Sequence, residues 1–96
     1  MLFTCYASNV SAATNSKEST VKQITIGEKY ARIKLTNMTN MEGCTRQDYY
    51  YLNVSSGKNA GTLSVILTAK VTQTPIVIQG NGCIGSYPLI SHVYLN

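Results

Sequence analysis

Titratable catalytic groups are scarce in this chain, which has one histidine and four acidic residues among 96. His92 and the carboxylates Glu18, Glu28, Glu42 and Asp48 fall at no spacing that sets a base beside a nucleophile, so no catalytic residue is expected and the protein reads as a non-enzyme. With the same single histidine and three cysteines no zinc-ligand spacing arises, so neither a metal nor another cofactor is expected. Long apolar runs are missing too, and none approaches the roughly 20 residues of a membrane-spanning helix. Gly80-Asn81-Gly82 has no helix following it that could hold an anion at its N-terminus, which excludes a phosphate loop and leaves a turn.

What is present is a small globular composition, 44% hydrophobic and 12% charged. A chain this short builds a modest core, for which a covalent staple is valuable. Its net charge of +4 permits an anionic partner such as nucleic acid, a sialylated glycan or a lipid headgroup. The basic residues are nonetheless dispersed from Lys17 to Lys70 with no polybasic run, which fits a solvated charge excess better.

The first segment, MLFTCYASNVSAATNS, has a short apolar start and small residues at Val10, Ser11 and Ala12. It reads as a signal peptide whose beginning is lost, so residues 1–12 are assigned to a leader and 13–96 to a single domain. The expected location is secreted or periplasmic. Removing Cys5 leaves Cys44 and Cys83 as an even pair, which an oxidising compartment would join. Closing a loop of about 40 residues stabilises by roughly 4 kcal/mol in the chain-entropy model. A cytosolic chain would instead hold these as two free thiols.

After a polar lead from Asn15 to Ser19, the β-branched residues of TVKQITI predict a first strand. YARIKLT alternates, with Ala31, Ile33 and Leu35 on one face and Tyr30, Arg32 and Lys34 on the other, as expected of a half-exposed strand paired to the first. Asn37 to Gln47 reads as a loop. DYYYLNV predicts a third strand with Tyr49 and Tyr51 on the face opposite Tyr50, Leu52 and Val54. Ser56 and Asn59 are candidate N-caps for a helix of about three turns, whose apolar positions are Leu63, Ile66, Leu67 and Val71. Pro75 ends it, and Ile76-Val77-Ile78 suggests a strand buried on both faces. Gly80-Asn81-Gly82 would turn the chain into a last strand from Tyr87, in which Leu89, Ser91, Val93 and Leu95 alternate with Ile90, His92 and Tyr94.

The resulting order, β-β-β-α-β-β, defines a mainly β fold with one helix and matches an OB-fold-like small barrel. An open α+β sheet is the rival architecture. From about Val21 onward the chain resembles small exported bacterial proteins that include the B subunits of AB5 toxins of the subtilase-cytotoxin and typhoid-toxin type. The resemblance rests on the helix from Leu63 to Lys70, on Thr74-Pro75-Ile76-Val77-Ile78 and on Tyr87-Pro88. It implies a toxin-B-like glycan or cell-surface receptor as partner and a homo-oligomeric, pentameric ring. It also implies ligand contacts from a serine near the first strand, where Ser19 stands, and from the position after the helix-following strand, where Gln79 and Gly80 stand.

Read from the residues themselves, Tyr49, Tyr51, Tyr87 and Tyr94 with Arg46 and Lys34 could form a stacking and charge surface, a subunit interface or an amphipathic wall. The ligand-binding candidates are thus Ser19, Arg46, Tyr49, Tyr51 and Gln79. The alternative function is a cytoplasmic OB-fold domain binding single-stranded nucleic acid, a partner that export argues against.

Overall fold

The computed structural model describes residues 13–95, so the assignment of residues 1–12 to a leader lies outside the described residues, as does Cys5. The fold is mainly β with one helix, in the order β1 (Thr14–Asn15), β2 (Val21–Ile26), β3 (Tyr30–Leu35), β4 (Tyr50–Asn53), α1 (Ala60–Thr72), β5 (Ile76–Ile84) and β6 (Tyr87–Leu95). The strands form one six-stranded sheet in the order β1-β5-β6-β4-β3-β2. All neighbours are antiparallel except β4 and β6, which run parallel with Tyr51 opposite Leu89.

Alternation places the core as expected on the middle strands. Ala31, Ile33 and Leu35 of β3 and Tyr50 and Leu52 of β4 are buried together, with Ile76 and Ile78 of β5 packed among them. Burying the Tyr50 phenol demands a polar partner. The loop before β4 provides it, because Thr39 N–H donates to the Tyr50 hydroxyl at 2.8 Å and that hydroxyl donates to Thr39 C=O at 2.5 Å. Burial pushes the phenol pKa up, so this hydroxyl stays protonated.

Several expectations are corrected. The polar lead contains a short strand, β1, held by backbone pairing to β5 and by Ser16, whose N–H donates to Ile78 C=O at 2.8 Å and whose hydroxyl accepts from Ile78 N–H at 2.9 Å. Hydroxyl groups, not apolar alternation, hold it, so the hydropathy pattern is blind to it. Gly80-Asn81-Gly82 is not the turn: β5 continues through it as a bulge, and the chain reverses at Gly85-Ser86. A Cβ at Gly80 would lie 3.1 Å from Met41 Cε, so a larger residue there would have to displace the Met41 side chain.

Opposite this bulge, Gln79 pairs with His92 but Gly80 with Ile90, so one residue of β6 is skipped and its inward face changes parity. Pro88 and Ile90 are therefore buried before the bulge and Val93 packs inward after it, while Leu89 is only half-buried. Nor is β5 buried on both faces, since Val77 remains half-exposed. In α1, Ile66 and Ala69 are buried, whereas Leu67 and Val71 face outward at 39% and 82% exposure. Neither cap candidate closes α1 with its side chain. A 3₁₀ turn, Gly57–Asn59, precedes the helix, and Asn59 Nδ2 donates to Asn53 C=O at 2.7 Å.

Replacing Tyr50 by Phe removes the partner of both the backbone N–H and the C=O of Thr39. The substitution is expected to cost about 1–3 kcal/mol, read as a lower urea midpoint at unchanged m-value.

Candidate functional site

The outward face of β3, β4 and the start of β6 gathers Tyr30, Tyr49, Tyr51 and Tyr87 with the cations Arg32, Lys34 and Arg46. Alternation on β3 sends Tyr30, Arg32 and Lys34 out, and alternation on β4 does the same for Tyr51 and Asn53. Parallel pairing then brings Tyr87 of β6 alongside Tyr51, with ring centroids 4.5 Å apart and planes 11° apart. Tyr30 extends the row, 5.8 Å from Tyr51 and tilted by 42°. Arg46 lies over Tyr87 at 5.5 Å, and Arg32 and Lys34 lie over Tyr49 at 5.1 and 5.2 Å. Such cation–ring contacts are electrostatically favourable and limit side-chain motion.

Arg46 is held from several sides. Its N–H donates to Ser86 C=O at 2.8 Å, and its guanidinium donates to Asp48 Oδ2 at 2.6 Å. That hydrogen bond holds the Asp48 carboxyl below its usual range. The pair is exposed and adds little to stability; its consequence is to fix the guanidinium beside Tyr87.

The loop carrying Arg46 is anchored by the Cys44–Cys83 disulfide, with Cα atoms 5.9 Å apart, which joins the two cysteines expected to pair. Glu42 adds a second tie. Its carboxylate accepts a hydrogen bond from the Thr14 hydroxyl of β1 and another, at 2.8 Å, from the Gly82 N–H of β5. These bonds, that from Thr14 foremost, hold the Glu42 carboxyl below its usual range. Glu42 and Gly43 both have φ near +60°, an unusual conformation for Glu that these ties maintain. Gln47 braces the same loop, donating to Met41 C=O and Cys44 C=O at 3.0 and 2.8 Å and accepting from Met41 N–H at 3.0 Å.

Of the ligand-binding candidates, Arg46, Tyr49 and Tyr51 therefore meet on one face with Tyr87. The other two stand apart from that face. Ser19 is buried, and its hydroxyl accepts from Asn37 N–H at 3.0 Å and donates to Thr20 C=O at 3.2 Å. Gln79 is half-buried on β5, with Oε1 3.5 Å from the Ser91 hydroxyl. Tyr94 is exposed near the chain end and makes no ring contact among the described residues.

Sequence reasoning missed Tyr30 and Arg32 as members of the site, although their period-2 spacing with Lys34 already put them on the right face. His92 is exposed, with Nδ1 3.2 Å from the neighbouring Ser91 hydroxyl. Both line a cleft between the end of β4, the start of α1 and the middle of β6, and among the described residues no carboxylate lines it with them. Among the described residues no group of three His, Cys, Asp or Glu could hold a metal. Comparison with known proteins finds no matching family model, no matching curated protein and no matching solved structure.

The depressed Glu42 pKa makes the loop clamp pH-dependent. A carboxyl whose folded pKa is depressed contributes stability fully present above its unfolded value, near 4.5, and lost as pH falls through the folded pKa. The urea midpoints of wild type and Glu42→Gln are thus expected to differ most above that pH and to converge as acid is added.

Proposed function

We propose that this is an exported, non-enzymatic binding protein of OB-fold-like architecture that takes a glycan of a cell surface on its β3–β4–β6 face. Supporting the barrel reading, β1 and β2 are consecutive in the chain yet occupy opposite edges of the sheet. The segment joining them makes a bridge from Ser19 to Ile76 of β5. One continuous, bent segment thus borders both edges, as in a small Greek-key barrel with its helix between the third and fourth long strands. The disulfide supports export, since such bonds persist in oxidising compartments. The toxin-B resemblance adds a homo-oligomeric ring to this reading.

One observation carries the choice of ligand, namely the row Tyr30–Tyr51–Tyr87 ending on Arg46. Tyr51 and Tyr87 already cover one face of each other, so the row presents ring edges and phenol hydroxyls outward. Those of Tyr30, Tyr51 and Tyr87 make no hydrogen bond among the described residues. A sugar ring, with C–H and O–H groups alternating around it, matches such a surface. Stacking also fixes the rings before the ligand arrives, which lowers the entropy lost on binding. A nucleobase needs an open aromatic face instead, and the stack has used the ones nearest the centre.

Glycan-array binding by the wild-type protein is expected to fall at least about tenfold in Tyr51→Ala, roughly 1.4 kcal/mol. Silence on the array, together with single-strand nucleic-acid binding that weakens steeply with salt, would replace this reading with the nucleic-acid one.

A further inference from the structure

The loop clamp closes on a chemically vulnerable step of the chain. Asn81-Gly82 is the sole Asn-Gly pair in the sequence, and a glycine after asparagine leaves the amide nitrogen between them open to attack the asparagine side chain, because no Cβ shields it. Asn81 is exposed, and its carboxamide makes no hydrogen bond among the described residues. The bulge takes both residues out of the ladder, since the register steps from Gly80 opposite Ile90 to Cys83 opposite Pro88. Around Gly82, whose φ is +80°, even an added Cβ would meet nothing within 4 Å. One contact acts against this openness: the Gly82 N–H, the group that must lose its proton, donates to Glu42 Oε1 at 2.8 Å.

We infer that Asn81 is a modification site, turned into aspartate or isoaspartate by deamidation with water as co-reactant, and that Glu42 guards it for as long as the loop clamp is closed. In the first step the Gly82 nitrogen gives up its proton and bonds to Asn81 Cγ, closing a succinimide ring. The Cγ–Nδ2 bond breaks, and Nδ2 takes up the proton and leaves as ammonia. Water then adds to either ring carbonyl and breaks its bond to the nitrogen, which recovers a proton. Opening at Cγ gives aspartate; opening at the backbone carbonyl gives isoaspartate, with the main chain routed through the side-chain carbon. One water is consumed and one ammonia released, with no change of oxidation state.

Glu42 opposes the first step by charge and by position. The hydrogen bonds from Thr14 and Gly82 hold its carboxyl below the usual range, so at neutral pH it is an anion and a poor acceptor of a proton. Stripping the Gly82 nitrogen while that anion lies on it sets two negative charges in contact, and the same oxygen fills the place through which hydroxide would reach the proton. Thr14 and the disulfide at the next residue, Cys83, keep the carboxylate and the N–H together. Once formed, the product acts on the clamp in turn. Aspartate adds a carboxylate only a few bonds from the nitrogen that Glu42 accepts from, and isoaspartate adds a carbon to the main chain and displaces the Gly82 N–H. Either product weakens the tie between Glu42 and Gly82 that held the reaction in check.

The test follows the side-chain carboxamide signals of the oxidised, isotope-labelled full chain during storage in mildly alkaline buffer, with electron-transfer fragmentation of its peptides to separate aspartate from isoaspartate. Asn81 is expected to lose its signals ahead of Asn37 and Asn40, which are exposed as well. Glu42→Gln, which keeps an acceptor without the charge, is expected to speed the loss about threefold and Glu42→Ala about tenfold, with the amide spectrum reporting that each is folded. Wild type unfolded in urea supplies the unguarded rate, expected to exceed the native one by at least about tenfold. Loss at Asn81 no faster than at Asn37 and Asn40, in wild type and variants alike, overturns the site. Selective loss at Asn81 that is equally fast or slower in the folded Glu42 variants overturns the guard. The chain carrying Asn81→Asp is expected to show a lower urea midpoint than wild type at neutral pH, and an unchanged midpoint overturns the effect of the product on the clamp.

Discussion

The clamp between the loop before β4 and the β5–β6 hairpin is the constraint on which the rest of the structure depends. Three bonds make it: the Cys44–Cys83 disulfide, the Glu42 carboxylate on Gly82 N–H, and the Arg46 N–H on Ser86 C=O. Two parts of the sheet meet here, since the strands β2, β3 and β4 are joined in the sheet to β5 and β6 by the parallel pairing of β4 with β6. A small core leaves little margin for that seam to open. The covalent tie lies across it, and by restricting the unfolded chain it raises the cost of separating the two parts.

The proposed function follows from what the seam aligns. Tyr51 belongs to one side and Tyr87 to the other, and they stack only because β4 and β6 run parallel in the observed register. Arg46 completes the row because the clamped loop carries it over the hairpin. The tyrosine surface is therefore a product of tertiary assembly, with each side contributing rings that would be isolated alone. Its rigidity comes from mutual stacking and from cations set over the rings, and that pre-organisation is what the proposed recognition of a glycan relies on.

Much of this was legible in the residues. Strict alternation in YARIKLT and DYYYLNV identified β3, β4, the buried Tyr50 and Leu52 and the outward Tyr51, because a half-buried strand writes its two faces directly into the hydropathy pattern. Cysteine arithmetic found the disulfide. Where the pattern failed, backbone geometry had overridden it. The bulge at Gly80–Gly82 looks like a turn in composition, yet it lets β5 pass close to Met41 and changes which residues of β6 face inward. The strand β1 consists of polar residues whose hydroxyl and backbone groups, not their hydropathy, secure them. The cleft was invisible because Lys58, Ser91 and His92 come together only through the packing of α1 against the sheet.

Nuclear Overhauser contacts among the Arg46, Tyr51 and Tyr87 side chains, recorded on the oxidised protein and again after reduction of Cys44–Cys83, test most directly whether the clamp assembles the tyrosine face. The account predicts that the Tyr51–Tyr87 and Arg46–Tyr87 contacts are both strong in the oxidised protein. After reduction the Arg46–Tyr87 contact is expected to fade while the pairing of β3 with β4 persists. An unchanged Arg46–Tyr87 contact in the reduced protein, or no Tyr51–Tyr87 contact in the oxidised one, would contradict it.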